Sequence, residues 1–256
     1  MTLHHEFDRE HIMAGRHDVP PDDPDAERFV REARIGNGWL HPRSSNYTFV
    51  VELELGDRQG FGVYKPAAGE APLWDFPPGL YKRECATYEL ANLLGWGMVP
   101  PTVVREGEAG PGSLQLFIPT GEDTNYFTVR EQQQESLFRM AVFDLVANNA
   151  DRKGGHIFLG PEGSLWGVDH GLTFHAQHKL RTVIWDFAGQ QVPAPMMRDL
   201  AVLHERVCSG ADGTAGLAGL LAHDEVTALV ARTARVLETP VMPHPYSRHD
   251  LPYPRL

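Results

Sequence analysis

Residues 143–172 read FDLVANNADRKGGHIFLGPEGSLWGVDHGL, and this stretch decides how the rest of the chain is understood. An apolar run with helical spacing ends in Asn148, Asn149 and Asp151, residue types that favour caps and turns over helix interiors. A polar, glycine-containing loop follows, Asp151-Arg152-Lys153-Gly154-Gly155-His156. Two short β-like runs come next, and the second ends in Asp169-His170-Gly171. Two carboxylates therefore flank a short predicted hairpin. Either one alone reads as a loop aspartate that turns the backbone. The pair says more, because both follow buried elements and both stand beside further polar side chains.

Upstream, residues 130–148 have the spacing of a strong helix, with Leu137, Met140, Ala141, Phe143, Asp144 and Val146 mostly on its buried side. Before it, strands are predicted over Thr102–Arg105 and Ser113–Ile118. The second leaves a small sheet for a helical region, which is where a hinge between two lobes would sit. Backbone groups near Gln115, Phe117 and Ile118 would there meet an adenine edge. A long helix is predicted over Leu80–Leu94, ended by Gly95, with Glu84 and Glu89 among its charges. Earlier still, Tyr47–Leu55 alternates Phe49, Val51, Leu53 and Leu55 on one face, and Phe61–Lys65 forms the next strand. Lys65 is a lone cation at the end of an apolar strand, either an edge lysine reaching water or a point charge for phosphates. The loop His41–Asn46 contains Ser44, Ser45 and Asn46, small polar residues able to fold over phosphates. Residues 25–34 form a short helix with Phe29, Val30 and Ala33 on one face.

Downstream, residues 172–192 are irregular, and helices are predicted over 196–207 and 222–238. A strand-rich front and a helix-rich back give an α+β architecture with two lobes. Its expected divisions are a flexible N-terminal tail (1–24), a β-rich N-terminal lobe (25–118), a mainly helical C-terminal lobe (119–240) and a Pro-rich tail (241–256).

Composition narrows the classes. With 42% hydrophobic and 22% charged residues, the chain has enough apolar mass for a sizeable core. A net charge of −11 disfavours nucleic acid and anionic membrane as partners. No run approaches the roughly 20 apolar residues of a membrane span. Two cysteines, Cys85 and Cys208, make no disulfide framework. These readings predict a cytoplasmic protein without stable membrane insertion.

Phosphoryl transfer needs positioning and charge neutralisation. Magnesium often takes one or two carboxylates plus substrate phosphates. Asp151 near an acceptor hydroxyl and Asp169 on a metal would divide these tasks. His175, Lys179 and Arg181 are either anchors for an anionic acceptor or a solvated loop. A zinc site built from His156, His170, His175 and His178 with Asp169 is a competing reading, although its spacing matches no familiar zinc motif.

Asn149-Ala150-Asp151-Arg152-Lys153-Gly154-Gly155-His156, followed by Val168-Asp169-His170-Gly171, resembles the catalytic and metal loops of the phosphatidylinositol 3-/4-kinase-like group. HipA-type kinases share this layout. The chain is similar, over about residues 36–240, to an actinobacterial phosphatidylinositol 3-/4-kinase-related family. The resemblance implies a bilobal protein-kinase-like fold, ATP and Mg2+ (or Mn2+) as cofactors, Asp151 as catalytic aspartate, and Arg152 as the arginine that follows it in the catalytic loop, with a structural role. It implies Asp169 and His156 as metal ligands, Lys65 on the nucleotide phosphates, and Glu84 as the helix partner of Lys65. The acceptor stays open, a protein or small-molecule hydroxyl. Two positions depart from the pattern: Lys153 stands where those kinases have His, and His156 where they have Asn. An imidazole suits transition metals better than magnesium. The alternative is therefore a nucleotide-binding pseudokinase acting through a protein partner.

Overall fold

The computed structural model describes residues 3, 4, 7–42, 46–121, 124–211 and 213–256. The chain divides into two compact units, Met1–Tyr88 with Pro100–Pro119, and Glu89–Val99 with Thr120–Leu256.

The first unit contains β1 (Leu3–His4), α1 (Arg9–Ala14), α2 (Ala26–Glu32), β2 (Arg34–Leu40), β3 (Phe49–Leu55) and β4 (Arg58–Pro66). Helix α3 (Leu80–Leu94) begins in this unit, and the hairpin of β5 (Thr102–Gly107) and β6 (Gly110–Leu116) completes it. The strands form one sheet in the order β1-β2-β3-β4-β6-β5. Among the described residues of this sheet, only the β1–β2 pairing is parallel. The alternation in β3 is explained by what covers the sheet. Phe49, Val51 and Leu53 pack with Phe29, Val30 and Ala33 of the α2 region and with Tyr64 and Leu114. Val50, on the other face, packs with Ile12 of α1, Trp39 and Phe61. Burying each of these large side chains stabilises the unit by roughly 1.5–3 kcal/mol. The segment 1–24, expected as a flexible tail, thus supplies Ile12 and Val19 to these clusters. Asp8 caps α1 by accepting from the His11 amide at 2.9 Å. The β5–β6 strands also run further into their turn than expected, because Gly110 takes φ +92 there.

Helix α3 keeps its predicted bounds. Glu70 accepts from the Gly79 and Tyr81 amides at 2.9 and 2.8 Å, satisfying donors at its start, and Gly95 ends it with φ +67.

The second unit contains α4 (Tyr126–Val129), α5 (Gln134–Ala147), β7 (Ile157–Leu159), β8 (Leu165–Gly167), α6 (Ala194–Ser209), α7 (Ala215–Leu220) and α8 (His223–Glu238). The single helix expected over 130–148 begins later, at Gln134, and a separate short helix precedes it. Asn125 caps α4 by accepting from the Phe127 amide, and a turn closed on the Val129 carbonyl separates α4 from α5. Helix α7 had no sequence signal. Helices α5, α6 and α8 pack together, with Leu137, Phe143, Val146, Leu200, Leu203 and Leu229 buried. Arg232 of α8 donates to the Val146 carbonyl at 2.9 Å and to the His175 carbonyl at 3.2 Å. It thereby covers acceptors left open where α5 ends. Burial lowers its pKa to about 10, so it stays charged at neutral pH.

The Pro-rich segment 241–256 lies along the second unit. Val241 bridges Gln191, and the Thr182 and Gly154 amides donate to Asp250 and Arg255 carbonyls at 3.0 and 2.7 Å. Among the described residues, no helix is long and apolar enough to cross a membrane.

Candidate active site

The first unit contributes a buried ion pair. Lys65 lies on β4, which is hydrogen-bonded to β3 on one side and β6 on the other. It is therefore on an interior strand, not an edge. Its Nζ donates to Glu84 Oε1 at 2.5 Å, with the two side chains 22% and 4% exposed. Helical spacing alone left Glu84 and Glu89 equivalent. The structure pairs Glu84 with Lys65, whereas the Glu89 carboxyl lies against Gly216 in the second unit. Glu84 is thus no solvated helix charge. Its carboxylate orients an ammonium that has limited access to water.

The other nucleotide-contacting candidates of this unit fare differently. Ser44 and Ser45 lie outside the described residues. The Asn46 side-chain oxygen accepts from the Ala71 amide at 2.9 Å, which ties the loop to the segment after β4. Gln115 is buried and donates to Thr102 Oγ1 at 2.8 Å. The Phe117 amide donates to the Phe61 carbonyl at 2.9 Å. These groups are engaged inside the sheet, so an adenine edge cannot use the Gln115 side-chain amide or the Phe117 N–H without displacing them. Ile118 is buried.

In the second unit, the loop pair is built around Asp144. This aspartate and Arg152 are both fully buried, 0% exposed. Arg152 donates to Asp144 through Nε at 3.0 Å and Nη2 at 2.9 Å. Asn149 and Thr182 also donate to Asp144, at 3.0 and 3.3 Å. Arg152 Nη2 lies 2.6 Å from His170 Nε2. A guanidinium has no acceptor, so Nε2 must accept and His170 is neutral with its proton on Nδ1. Arg152 Nη1 donates to the Val168 carbonyl at 3.2 Å. One buried arginine therefore ties the loop bearing Asp151 to the loop bearing Asp169. A side chain with no exposure does not touch substrate, so these contacts give Arg152 a positioning part. Asp144 was recognised only as one of the buried helix positions. Its charge has meaning through Arg152, which sequence spacing did not connect to it.

The two asparagines have structural parts as well. Asn148 ends α5 with φ +54. Its side chain donates to the His175 and Gln177 carbonyls and accepts from the Lys179 amide at 2.8 Å. Asn149 accepts from the Asp151 amide at 3.0 Å.

The carboxylates themselves remain reachable. Asp151 is 24% exposed and pairs with Lys153 Nζ at 2.9 Å. Burial raises its pKa above the ordinary aspartate value; Lys153 opposes the shift, the Asp169 charge adds to it and Arg181 opposes it. The influence of Asp169 shows that the two carboxylates share one electrostatic neighbourhood. Asp169 is 53% exposed and has φ +60, an uncommon conformation that Asp tolerates better than most residues. His156 closes a 3₁₀ turn, Gly154–His156. Its Nε2 lies 3.3 Å from Asp169 Oδ2, while its Nδ1 accepts from the Lys153 amide at 3.4 Å. That arrangement puts the proton on Nε2, directed at Asp169.

The zinc reading is not supported. His170 Nε2 is engaged by Arg152, and among the described residues no cluster of three or more His, Cys, Asp or Glu side chains is arranged to hold a metal.

A mixed α+β chain with an antiparallel sheet unit, a helical unit and this loop pair has a kinase-like fold. It is similar to the structure of hydra Fam20 with sugar, with a TM-score of 0.51 and 13% identity over 82% of this chain and 86% of that one. A comparison with the Helicobacter pylori proinflammatory kinase CtkA gives a TM-score of 0.46 and 12% identity, over 82% of this chain and 93% of that one. The family profile described as phosphatidylinositol 3- and 4-kinase matches residues 102–220. That span contains Asp151 and Asp169. Protein Rv2133c of Mycobacterium tuberculosis is 38% identical over 247 residues, covering 82% of this chain and 88% of that one. The chain belongs to the same family as this relative, and its match to the phosphatidylinositol 3- and 4-kinase profile relates that family to kinases.

Proposed function

We propose that the chain transfers the γ-phosphoryl group of ATP to a hydroxyl acceptor with the help of a divalent metal. The observation that supports this reading most is the locking of the Asp151 and Asp169 loops to each other through Arg152, with both carboxylates left accessible. Asp151 orients the acceptor hydroxyl and takes up its proton; the raised pKa brings it closer to that of a useful base. Lys65, held by Glu84, binds ATP phosphate oxygens. Ser44, Ser45, Asn46 and the 115–118 segment are the remaining candidates for nucleotide contacts, and only groups not engaged in the sheet are available for that role.

The residues present fit a hard ion held through one carboxylate. Asp169 offers exposed oxygens, and such ions commonly complete their shell with water and substrate phosphates. When bound, the ion would neutralise phosphate charge. His156 would ligate through Nε2 only if its proton moved to Nδ1, against the Lys153 N–H. We therefore assign it to holding the Asp169 carboxylate, with Mg2+ preferred over Mn2+.

His156 also favours the second reading, a pseudokinase that binds nucleotide and acts through a protein partner. Two measurements separate them. ATP with magnesium at about 100 times its dissociation constant should add roughly 2.7 kcal/mol of stability under either reading. Phosphate release or acceptor phosphorylation, abolished in Asp151→Asn, occurs only under the first. Nucleotide binding without turnover for any acceptor would leave the pseudokinase.

A further inference from the structure

The second unit has a cavity of about 500 Å³ beside Asp151, lined by Arg181, Arg248, His249, Tyr253 and Arg255 among others. Its wall is the 246–255 segment, which the sequence presented only as Pro-rich chain. We propose that this cavity receives the phosphate acceptor, and that the acceptor is a small hydroxyl compound bearing its own phosphate or carboxylate. The inference rests on the phosphotransfer reading above and names its substrate class.

Charge is the first argument. The chain as a whole has a net charge of −11, yet three arginines and one carboxylate-bearing residue line this cavity. Among the described residues, no ion pair engages the side chain of Arg248 or Arg255. Guanidiniums match phosphate and carboxylate oxygens through paired N–H groups.

Construction is the second. The cavity wall is fixed by backbone bonds. The Arg181 amide donates to the Asn149 carbonyl and its own carbonyl accepts from the Arg152 amide, at 2.8 and 3.0 Å, so its position is set by the Asp151 loop itself. The Thr182 amide donates to the Asp250 carbonyl, and the Gly154 amide to the Arg255 carbonyl. The Asp250 carboxylate is turned onto the Tyr246 and Ser247 amides at 2.6 and 2.8 Å. The only acidic side chain of this segment is thus bound by its own turn, while the arginines line the cavity.

Size is the third. About 500 Å³ is in the range of small-molecule sites, which favours a compact anion over a protein surface. Of the earlier acceptor candidates, Arg181 lines the cavity and His175 and Lys179 do not.

The reaction balances simply. The acceptor O–H loses its proton to Asp151, the oxygen forms a bond to the γ-phosphorus of ATP, and ADP leaves with the electron pair of the broken P–O bond.

The test has a binding arm and a turnover arm on the full chain. In the first, inorganic phosphate, glycerol 3-phosphate, glycerate and glycerol are titrated without ATP against wild type and the double variant Arg248→Ala/Arg255→Ala. Both side chains are exposed, and a melting curve checks that the variant is folded. Phosphate or carboxylate compounds should bind, glycerol should not, and the variant should bind roughly ten- to a hundredfold more weakly. Equal binding of glycerol and its phosphate, or no change in the double variant, overturns the anion site. In the second arm, magnesium and ATP are added, and the anionic hydroxyl compounds are compared with an acidic serine peptide. The phosphate compound winning over glycerate identifies a phosphorylated acceptor, and the reverse a hydroxy acid. Preference for the peptide overturns the small-molecule assignment. Anion binding that needs the arginines, with no turnover of any acceptor, overturns the acceptor role and the phosphotransfer reading together; turnover without that binding overturns the cavity alone.

Discussion

Replacing Asp144 with Leu removes one partner of an ion pair whose members are both 0% exposed. Leu keeps the branching of Asp, with methyl groups in place of the carboxylate oxygens, and the dominant cost is electrostatic. Arg152 keeps its charge in a place without water, and its Nε and Nη2 lose the acceptor they reach at 2.9–3.2 Å. Breaking a buried pair in this way costs about 3–5 kcal/mol, a large part of the roughly 5–15 kcal/mol that holds a typical domain folded. For a chain of this size that corresponds to a Tm lower by roughly 6–20 °C. Arg152→Met should also destabilise, because the Asp144 carboxylate is left with only the neutral donors of Asn149 and Thr182. The double variant should melt above both singles, since an apolar pair of similar volume replaces an expensive charged one. Thermal or urea melts of the four proteins form the cycle. Turnover is measured alongside, and the double variant should stay slow despite its recovered stability, because nothing then bridges to His170 and the Val168 carbonyl. A loss under about 1 kcal/mol in Asp144→Leu, the size expected of an exposed pair, would refute the reasoning. So would a double variant no more stable than the singles.

Three other outcomes are expected. Lys65→Ala should weaken ATP binding, and Glu84→Gln should do so less, because the ammonium remains but loses its orienting carboxylate; nucleotide titrations compare them. Asp151→Asn should lower turnover by about 10²–10⁴ yet melt higher than wild type at neutral pH without added metal. The sign follows from burial: the folded pKa of Asp151 is raised, so its favourable contribution is present at low pH and is lost as pH rises through the folded value. The gap between the two proteins should close as pH falls toward the ordinary aspartate value near 4. Gly154→Ala should destabilise by about 1–3 kcal/mol, as its Cβ would lie 2.5 Å from the Phe127 ring and 3.2 Å from the Arg255 carbonyl oxygen; melts and glycerol 3-phosphate titration would register both the strain and any displacement of the cavity wall.

What the sequence disclosed depended on whether the relevant signal is periodic. The alternation of Phe49, Val51 and Leu53 marks a sheet face, because α2 covers that face and water is excluded from it. The bounds of α3 were legible because apolar spacing and Gly95 both mark its end. The covered second face of the sheet was harder to see, since Ile12 sits in an acidic, His-bearing segment whose composition reads as loose. The 241–256 segment hid for a related reason. It is held by backbone bonds to residues 154, 182, 189 and 190, and backbone groups leave no mark in composition. At the site, Asp151 and Asp169 were visible as loop residues after apolar runs. Asp144 was not, because a lone acid in an apolar helix acquires its role only from a partner that folds onto it, here Arg152.

That partnership also bears on why the site is built with buried charge at all. An apolar pair could fill the same space with equal or better stability, so stability alone gives no reason for Asp144 and Arg152. Geometry does. A guanidinium donates in several directions at once, and Arg152 uses them on Asp144 near the end of α5, on the Val168 carbonyl and on His170. These contacts fix residues on either side of Asp169 relative to the residue that follows Asp151. Two accessible carboxylates repel each other, as the raised pKa of Asp151 reflects in part, and flexible loops would let them move apart. A rigid buried cation behind them holds the spacing without occupying the space in front, where Lys153 and the arginine-lined cavity meet Asp151 and His156 meets Asp169.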